Sequence, residues 1–239
     1  MSGQLKSLPR SCPLGVCDGS GWISNPDDSV SPCDCRERRI QQARTRGVRS
    51  VLPEKYQGVS MDRPPLADMA RAPETRTSVE AVAQFIAELR SNIAEGRGLW
   101  IEGGVGTGKT TLAMLVSKTA IEQGHSAAIY SLPRLLARIR RTYDGGAGEL
   151  SYLEFFRRLT SVDLLHLDDL GAEKRSDWVL EQLYAIVDER YASNRSIVVT
   201  TNLKLAELEE QIGERTVSRL VEMCETLVLY GDDQRYRIA

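Results

Sequence analysis

The chain has 239 residues, 41% hydrophobic and 27% charged, with a net charge of −2 at neutral pH. That composition suits an ordinary globular core. No apolar run reaches the length of a membrane span, and the N-terminus (MSGQLKSLPR) carries no secretory h-region, so no membrane association and a cytoplasmic location are expected. The near-neutral balance excludes a global basic field for nucleic acid and leaves only local patches.

The first segment, residues 1–35, is rich in Cys, Gly, Pro, Ser and Asp and too short to bury a core of its own. It holds four of the five cysteines: Cys12, Cys17, Cys33 and Cys35. A cytosolic chain seldom keeps disulfides, so such a cluster reads as metal ligands. Zn²⁺ in a tetrahedron of four thiolates would hold this module together, and the glycines of CDGSGW supply sharp turns. The C-x4-C and C-x-C spacings depart from the usual C-x2-C knuckles, and an iron–sulfur centre is the alternative. Residues 36–75 read as a basic linker. It opens with a helical run, Arg36–Arg46, and continues through VLPEKYQGVSMDRPPL, where the prolines bar a long helix.

From residue 76 to residue 239, strands and helices alternate, which predicts an α/β fold with a parallel sheet flanked by helices. Ser78–Ala94 has apolar residues at helical spacing (Val79, Val82, Ile86, Leu89, Ile93), and Gly98–Glu102 is a short apolar strand. Residues 103–110, GGVGTGKT, then match the phosphate-binding pattern G-x-x-x-x-G-K-[ST]. Gly103, Gly104, Val105, Gly106, Thr107 and Gly108 would turn backbone N–H groups toward phosphate oxygens. Lys109, expected as a solvent-facing loop charge, would reach the β- and γ-phosphates, and Thr110 would ligate Mg²⁺. Thr110–Glu122, beginning Thr110-Thr111, is a helix whose N-terminus faces the anion.

Ala127–Tyr130 is a strand. Leu132–Tyr143 is an amphipathic helix, with Arg134, Arg138 and Arg141 opposite its apolar side. DGGAG at 144–148 breaks the chain before a helix at Tyr152–Leu159. Val162–Leu167 is a buried strand ending in Asp168 and Asp169. At a strand's carboxyl end beside a phosphate loop, one acid can hold the Mg²⁺ shell and the other can orient or deprotonate water. Asp177–Tyr191 is a helix, and the strand at Ile197–Thr200 runs into Asn202, a neutral polar group able to position water. Helices at 205–212 and 215–224 follow; the second carries Arg215 and Arg219 on one face and would bury Cys224 as a small apolar residue. A strand at 226–230 leads to GDDQR, where Arg235 would reach the nucleotide. His125 and His166 read as structural histidines of core elements. A GTPase would need an N-K-x-D guanine reader, which is absent, and a small-molecule kinase gives no reason for the Asn202, Arg219, Arg235 series.

The order of phosphate loop, LLHLDDLG, IVVTTN, GERTVSRL and GDDQR, with the string DERYASNRSIVVTTNL, resembles the AAA+ ATPases of the bacterial and phage helicase-loader group (DnaC/DnaI type), with the IstB insertion-sequence ATPase as close kin. The resemblance spans residues 36–239. It implies that Gly103–Thr111 and Asp168 bind ATP and Mg²⁺, and that Asp169 stands where many relatives have a catalytic Glu, which suits slow, switch-like turnover. It further implies that Asn202 is the first sensor, that Arg219 (or else Arg215) is an arginine finger acting on a neighbouring subunit, and that Arg235 is the second sensor. The implied partners are a replicative DNA helicase, gripped by the zinc module and linker, and single-stranded DNA at the arginine stripe, where Tyr143 would stack a base. The implied assembly is a homo-oligomer on the helicase. The alternative is a transposition ATPase acting with a transposase on duplex DNA; the cysteine module favours the loader.

Overall fold

The computed structural model describes Cys12 and residues 14–26, 29–36, 51–143 and 150–231. The chain divides into two compact units, Met1–Ser50 and Val51–Ala239. In the first, two short antiparallel strands, β1 (Trp22–Ser24) and β2 (Val30–Pro32), form a hairpin beside the cysteines. The helix expected from Arg36 to Arg46 lies outside the described residues apart from its first residue.

The second unit corrects the expected linker boundary. Residues 51–75 are part of the compact ATPase-sized unit, and Val59, Leu66 and Met69 are buried in its core. A short helix α1 (Leu66–Met69) precedes α2 (Pro73–Ala87), which starts with Pro at a position whose N–H would go unpaired. The single helix expected to Ala94 is two, α2 and α3 (Leu89–Ala94), broken at Glu88. The order continues β3 (Gly98–Gly103), α4 (Lys109–Glu122), β4 (Ala127–Ser131), α5 (Leu132–Tyr143), α6 (Tyr152–Ser161) and β5 (Leu164–Asp168). It closes with α7 (Asp177–Ala192), β6 (Ser196–Thr201), α8 (Leu205–Ile212), α9 (Glu214–Met223) and β7 (Cys224–Leu229). Cys224 therefore opens a strand rather than ending a helix, its thiol pushed up by burial.

The five-stranded sheet has the order β4-β5-β6-β3-β7, and every pairing is parallel. β3 lies between β6 and the edge strand β7, with Leu99 opposite Val198 on one side and Glu225 on the other. Side chains alternate across a strand. Leu99, Ile101, Leu164 and Val198 face a core built with α2 and α4, while Trp100, Leu165, Leu167 and Val199 face one built with α5, α6, α7 and α9. A strand covered on both faces must be apolar almost throughout, which is why GLWIE and SIVVTT read as continuous runs.

Local signals set the helix ends. Ser151 and Glu154 form a reciprocal capping box at the start of α6, and the Ser176 hydroxyl accepts the Val179 N–H at 3.4 Å at the start of α7. At the other end of α6, the fully buried Arg190 donates to the carbonyls of Leu159, Thr160 and Val162.

Candidate functional site

β3 delivers the chain into the phosphate loop at the carboxyl end of the sheet. Gly103 has φ +153° and Gly108 φ +100°, conformations that L side chains rarely adopt. A Cβ on Gly103 would run into the Leu229 carbonyl, and one on Gly108 would meet the Met69 sulfur at 2.6 Å. The cradle is therefore packed between β7 and α1, and its glycines are demanded by both backbone and space.

Lys109 corrects the expectation of a solvent-facing charge. It is 4% exposed, and its Nζ donates to the carbonyls of Gly103 at 2.9 Å and Gly104 at 2.6 Å. The ammonium is thus held inside the loop it serves.

Two oxygens stand ready for a hard cation at the start of α4. Thr110 Oγ1 donates to Asp168 Oδ1 at 2.9 Å, and the same Oδ1 accepts from Thr200 Oγ1 at 2.7 Å. Burial pushes the Asp168 carboxyl up, but the nearby His166, Thr200 and Thr110 outweigh it and hold the group below the ordinary carboxylate range. A hydroxyl and an ionised carboxylate at this spacing fit Mg²⁺, which takes oxygen donors. Thr200 was not singled out in the sequence, yet it sets both acids: its Oγ1 also accepts the Asp169 N–H at 2.9 Å. Asp169 sits in the left-handed region (φ +58°), which Asp tolerates better than most residues, and this turns its side chain off the strand.

A cavity of about 720 Å³ opens beside these groups, lined by Lys109, Thr110, Asp169 and Asn202 on the phosphate side. Its opposite wall is Tyr56, Val59 and Pro64, from the segment expected to be linker. Lys118 of α4 pins that wall by donating to the Val59 carbonyl at 2.7 Å. The only sequence signal for this wall was the apolar and proline content of VLPEKYQGVSMDRPPL.

The expected arginines divide. Arg219 does not line this cavity: its Nε is 2.6 Å from Asp188 Oδ1, its Nη2 donates to the Tyr184 hydroxyl at 3.0 Å, and its guanidinium lies 4.8 Å from the Tyr184 ring centre. Arg215 is exposed and lines a separate open groove with Tyr184, Glu181 and Glu214. Arg235 lies outside the described residues. In the stripe on α5, Arg138 lies over the Phe155 ring at 5.5 Å; Arg140, outside the stripe, covers Trp178 at 4.6 Å. Tyr143 is 53% exposed and stacked on Tyr152, ring centres 5.3 Å apart.

In the N-terminal unit the four thiols of Cys12, Cys17, Cys33 and Cys35 lie within 4.8 Å of one another. The close pairs, Cys12–Cys33 at 3.8 Å and Cys17–Cys35 at 3.5 Å, are far beyond disulfide length. They approach the edge of a tetrahedron of sulfurs about 2.3 Å from zinc. Backbone N–H groups, that of Cys17 foremost, pull the Cys12 thiol down to about 6, whereas burial and the other thiols push Cys35 up to about 12. Without a cation the four cannot all ionise together; with one they can. The donor set and spacing fit Zn²⁺.

The family model described as "IstB-like ATP binding protein" matches residues 67–238. An uncharacterized protein YdaV of Escherichia coli K12 is 33% identical over 119 residues, 49% of this chain and 46% of that protein. The replicative helicase loader DnaC of Buchnera aphidicola subsp. Acyrthosiphon pisum is 26% identical over 199 residues, 83% of this chain and 78% of that one. For several of the curated relatives it matches, the chain spans only about half their length, 46% for YdaV and 54% for Escherichia coli DnaC. Among solved structures, the DnaC helicase loader superposes with TM-score 0.64 at 28% identity over 74% of this chain and 100% of that one. The initiator DnaA bound to AMPPCP and single-stranded DNA shares the fold, with TM-score 0.61 at 22% identity over 76% of this chain and 51% of that one. No helix among the described residues is long and apolar enough to cross a membrane.

Proposed function

The chain belongs to the family of IstB-like ATP-binding proteins, with the AAA+ fold of the DnaC-type loaders, and from that premise we propose that it is an ATP-switched loader of a replicative DNA helicase onto single-stranded DNA. The observation that carries this reading is the phosphate cradle with Thr110, Asp169 and Asn202 lining one cavity and Asp168 bonded to Thr110, in a chain similar over most of its length to proteins named as replicative helicase loaders. In this reading the backbone of Gly103–Thr111 and the Lys109 ammonium bind the phosphates. Thr110 and Asp168 hold Mg²⁺, which when bound would neutralise phosphate charge. Asp169 orients and deprotonates the attacking water, with the short Asp side chain making turnover slow, and Asn202 helps place that water.

Arg219 would act on the γ-phosphate of a neighbouring copy, which makes the active form a homo-oligomer assembled on the helicase, and Arg235 would act as the second sensor. The Arg134–Arg141 face of α5, with Tyr143 at its end, supports contact with single-stranded DNA, because an exposed aromatic beside cations suits base stacking and backbone neutralisation. The zinc module, with Trp22 and Val30 exposed beside its cysteines, would grip the helicase. The transposase alternative is not favoured, since the relatives named by function are helicase loaders.

The test is helicase loading on a covalently closed single-stranded circle, with wild type, Arg219→Ala, Lys109→Ala and the mixture of the two. Wild type should load the helicase and hydrolyse ATP, each variant alone should fail, and the mixture should regain part of the turnover, because one copy supplies the arginine and the other the intact pocket. Failure of wild type to bind or load any replicative helicase overturns the loader reading. Loading without rescue in the mixture overturns only the role of Arg219.

A further inference from the structure

His166 is the polar interruption in the apolar strand LLHLD, and it is fully buried. By the alternation of side chains along β5, it shares a face with Asp168, the face that packs on α4. Its Nδ1 is 3.0 Å from the Ser117 hydroxyl on α4, and Ser117 also reaches the Ala113 carbonyl at 3.0 Å. Among the described residues its Nε2 has no hydrogen-bond partner, and Asp168 Oδ1 lies 3.9 Å away. A buried ring nitrogen without a partner costs stability, on the order of 1–3 kcal/mol, and any aliphatic residue would fill this strand position at no such cost. The histidine thus does something that the core does not require.

We infer that His166 is a positioning residue for Mg²⁺: it orients Asp168 from behind and ties that carboxylate to α4, the helix that begins with Lys109 and Thr110. The inference rests on the assignment of Asp168 as the Mg²⁺ ligand. Nδ1 is tied to the Ser117 hydroxyl of α4, which leaves Nε2 as the ring atom that faces the carboxylate. At 3.9 Å this is an electrostatic contact rather than a hydrogen bond, and it acts on Oδ1, the oxygen already fixed by Thr110 and Thr200. Asp168 is thereby approached from three elements: α4 through Thr110, β6 through Thr200, and its own strand through His166. Groups behind a metal ligand that fix its orientation typically change metal affinity by about 10–100-fold when removed.

The experiment measures binding of a non-hydrolysable ATP analogue to the full chain across a Mg²⁺ titration and again in excess EDTA, for wild type, His166→Leu, Asp168→Asn and the double variant. Leucine suits this buried strand position, so His166→Leu should fold, bind the analogue in EDTA as wild type does, and need about tenfold more Mg²⁺ or beyond for half-maximal enhancement. Asp168→Asn should shift the Mg²⁺ midpoint at least as far, and the double variant no further than Asp168→Asn alone, because His166 acts only through that carboxylate. A His166→Leu midpoint within about twofold of wild type, beside a large shift for Asp168→Asn, overturns the inference and leaves the Mg²⁺ assignment standing. An unshifted Asp168→Asn overturns that assignment. Equal loss of binding with and without Mg²⁺ in His166→Leu reduces the histidine to a packing residue and also overturns the inference. A fall in melting temperature without any change in the Mg²⁺ midpoint does the same.

Discussion

Arg190 makes the sharpest energetic prediction. It is 0% exposed, and among the described residues no carboxylate bonds to it; its guanidinium donates instead to five backbone carbonyls. Nη1 reaches Leu159, Thr160 and Val162 at 3.2, 3.1 and 3.0 Å, and Nη2 reaches Asp163 at 3.3 Å and Ser196. Two of these are orphan carbonyls at the end of α6, where a cation also meets the negative end of the helix dipole. The others belong to the approach to β5 and the first residue of β6. One side chain thus closes α6 against the two strands that present Asp168 and Asn202. Burial, and then the charge of Arg195, pulls the guanidinium down to about 9, still above neutral pH, so it stays charged and all of these bonds are charge-assisted.

Replacing Arg190 with Met keeps the length of the side chain and its apolar stem but removes every donor. A buried acceptor left without its donor costs about 1–3 kcal/mol, and with partial relaxation the five carbonyls together should lose about 3–5 kcal/mol. For a domain of this size each kcal/mol lowers the melting temperature by roughly 2–4 °C, so Arg190→Met should fall by about 6–20 °C. Arg190→Lys, with three donors on one compact ammonium, cannot span both α6 and β6 and should recover part of that loss. Thermal and urea unfolding followed by circular dichroism measure both. An Arg190→Met protein melting within about 2 °C of wild type would mean that the carbonyls find water or other donors, and that the guanidinium is not what joins these elements.

Lys109→Ala should lose nucleotide binding measured by titration calorimetry and stay folded, melting somewhat below wild type because the Gly103 and Gly104 carbonyls lose their donor, and wild-type affinity would remove the cradle assignment. Asp169→Asn should keep nucleotide affinity within a few-fold and lower steady-state turnover by about 10²-fold or more, as expected for loss of a catalytic base; unchanged turnover would remove it from the chemistry. Purified protein should contain one zinc per chain, and metal analysis reads this directly. Because the metal needs thiolates and protons compete for them, zinc should be retained at about pH 8 and released progressively toward pH 5. The sign follows from Cys35: its thiol is pushed up to about 12, so it is protonated without metal at either pH, and each added proton opposes binding. A protein that binds no zinc under reducing conditions, or holds it equally at both pH values, would contradict this.

What the sequence determined is what depends on near neighbours. The phosphate loop was legible because a cradle of backbone N–H groups is made by consecutive residues, and the glycines at 103 and 108 declare the conformations it needs. The strands were legible because a parallel sheet buried on both faces writes each one as an apolar run, and α5 kept its predicted bounds because its amphipathic pattern is local. Asp168, the last residue of β5, and Asp169 just after it were visible for the same reason, as polar residues ending an apolar strand.

What only the tertiary structure decided are the contacts between distant residues, which leave no periodic trace. Thr200 sets Asp168 and Asp169 from more than thirty positions away, across neighbouring strands. Residues 51–75 lack the regular spacing of a core element, yet Val59, Leu66 and Met69 are buried, because a short irregular segment can wall a cavity once α4 is there to pin it. Lys109 looked like a surface charge because sequence does not show that its own loop curls around the ammonium and offers two carbonyls. Arg190 looked like one charge among several in DERYASNR, and His166 like an ordinary core histidine. Their roles come from which helix ends and which carboxylate the fold brings to them, and chain order does not fix that.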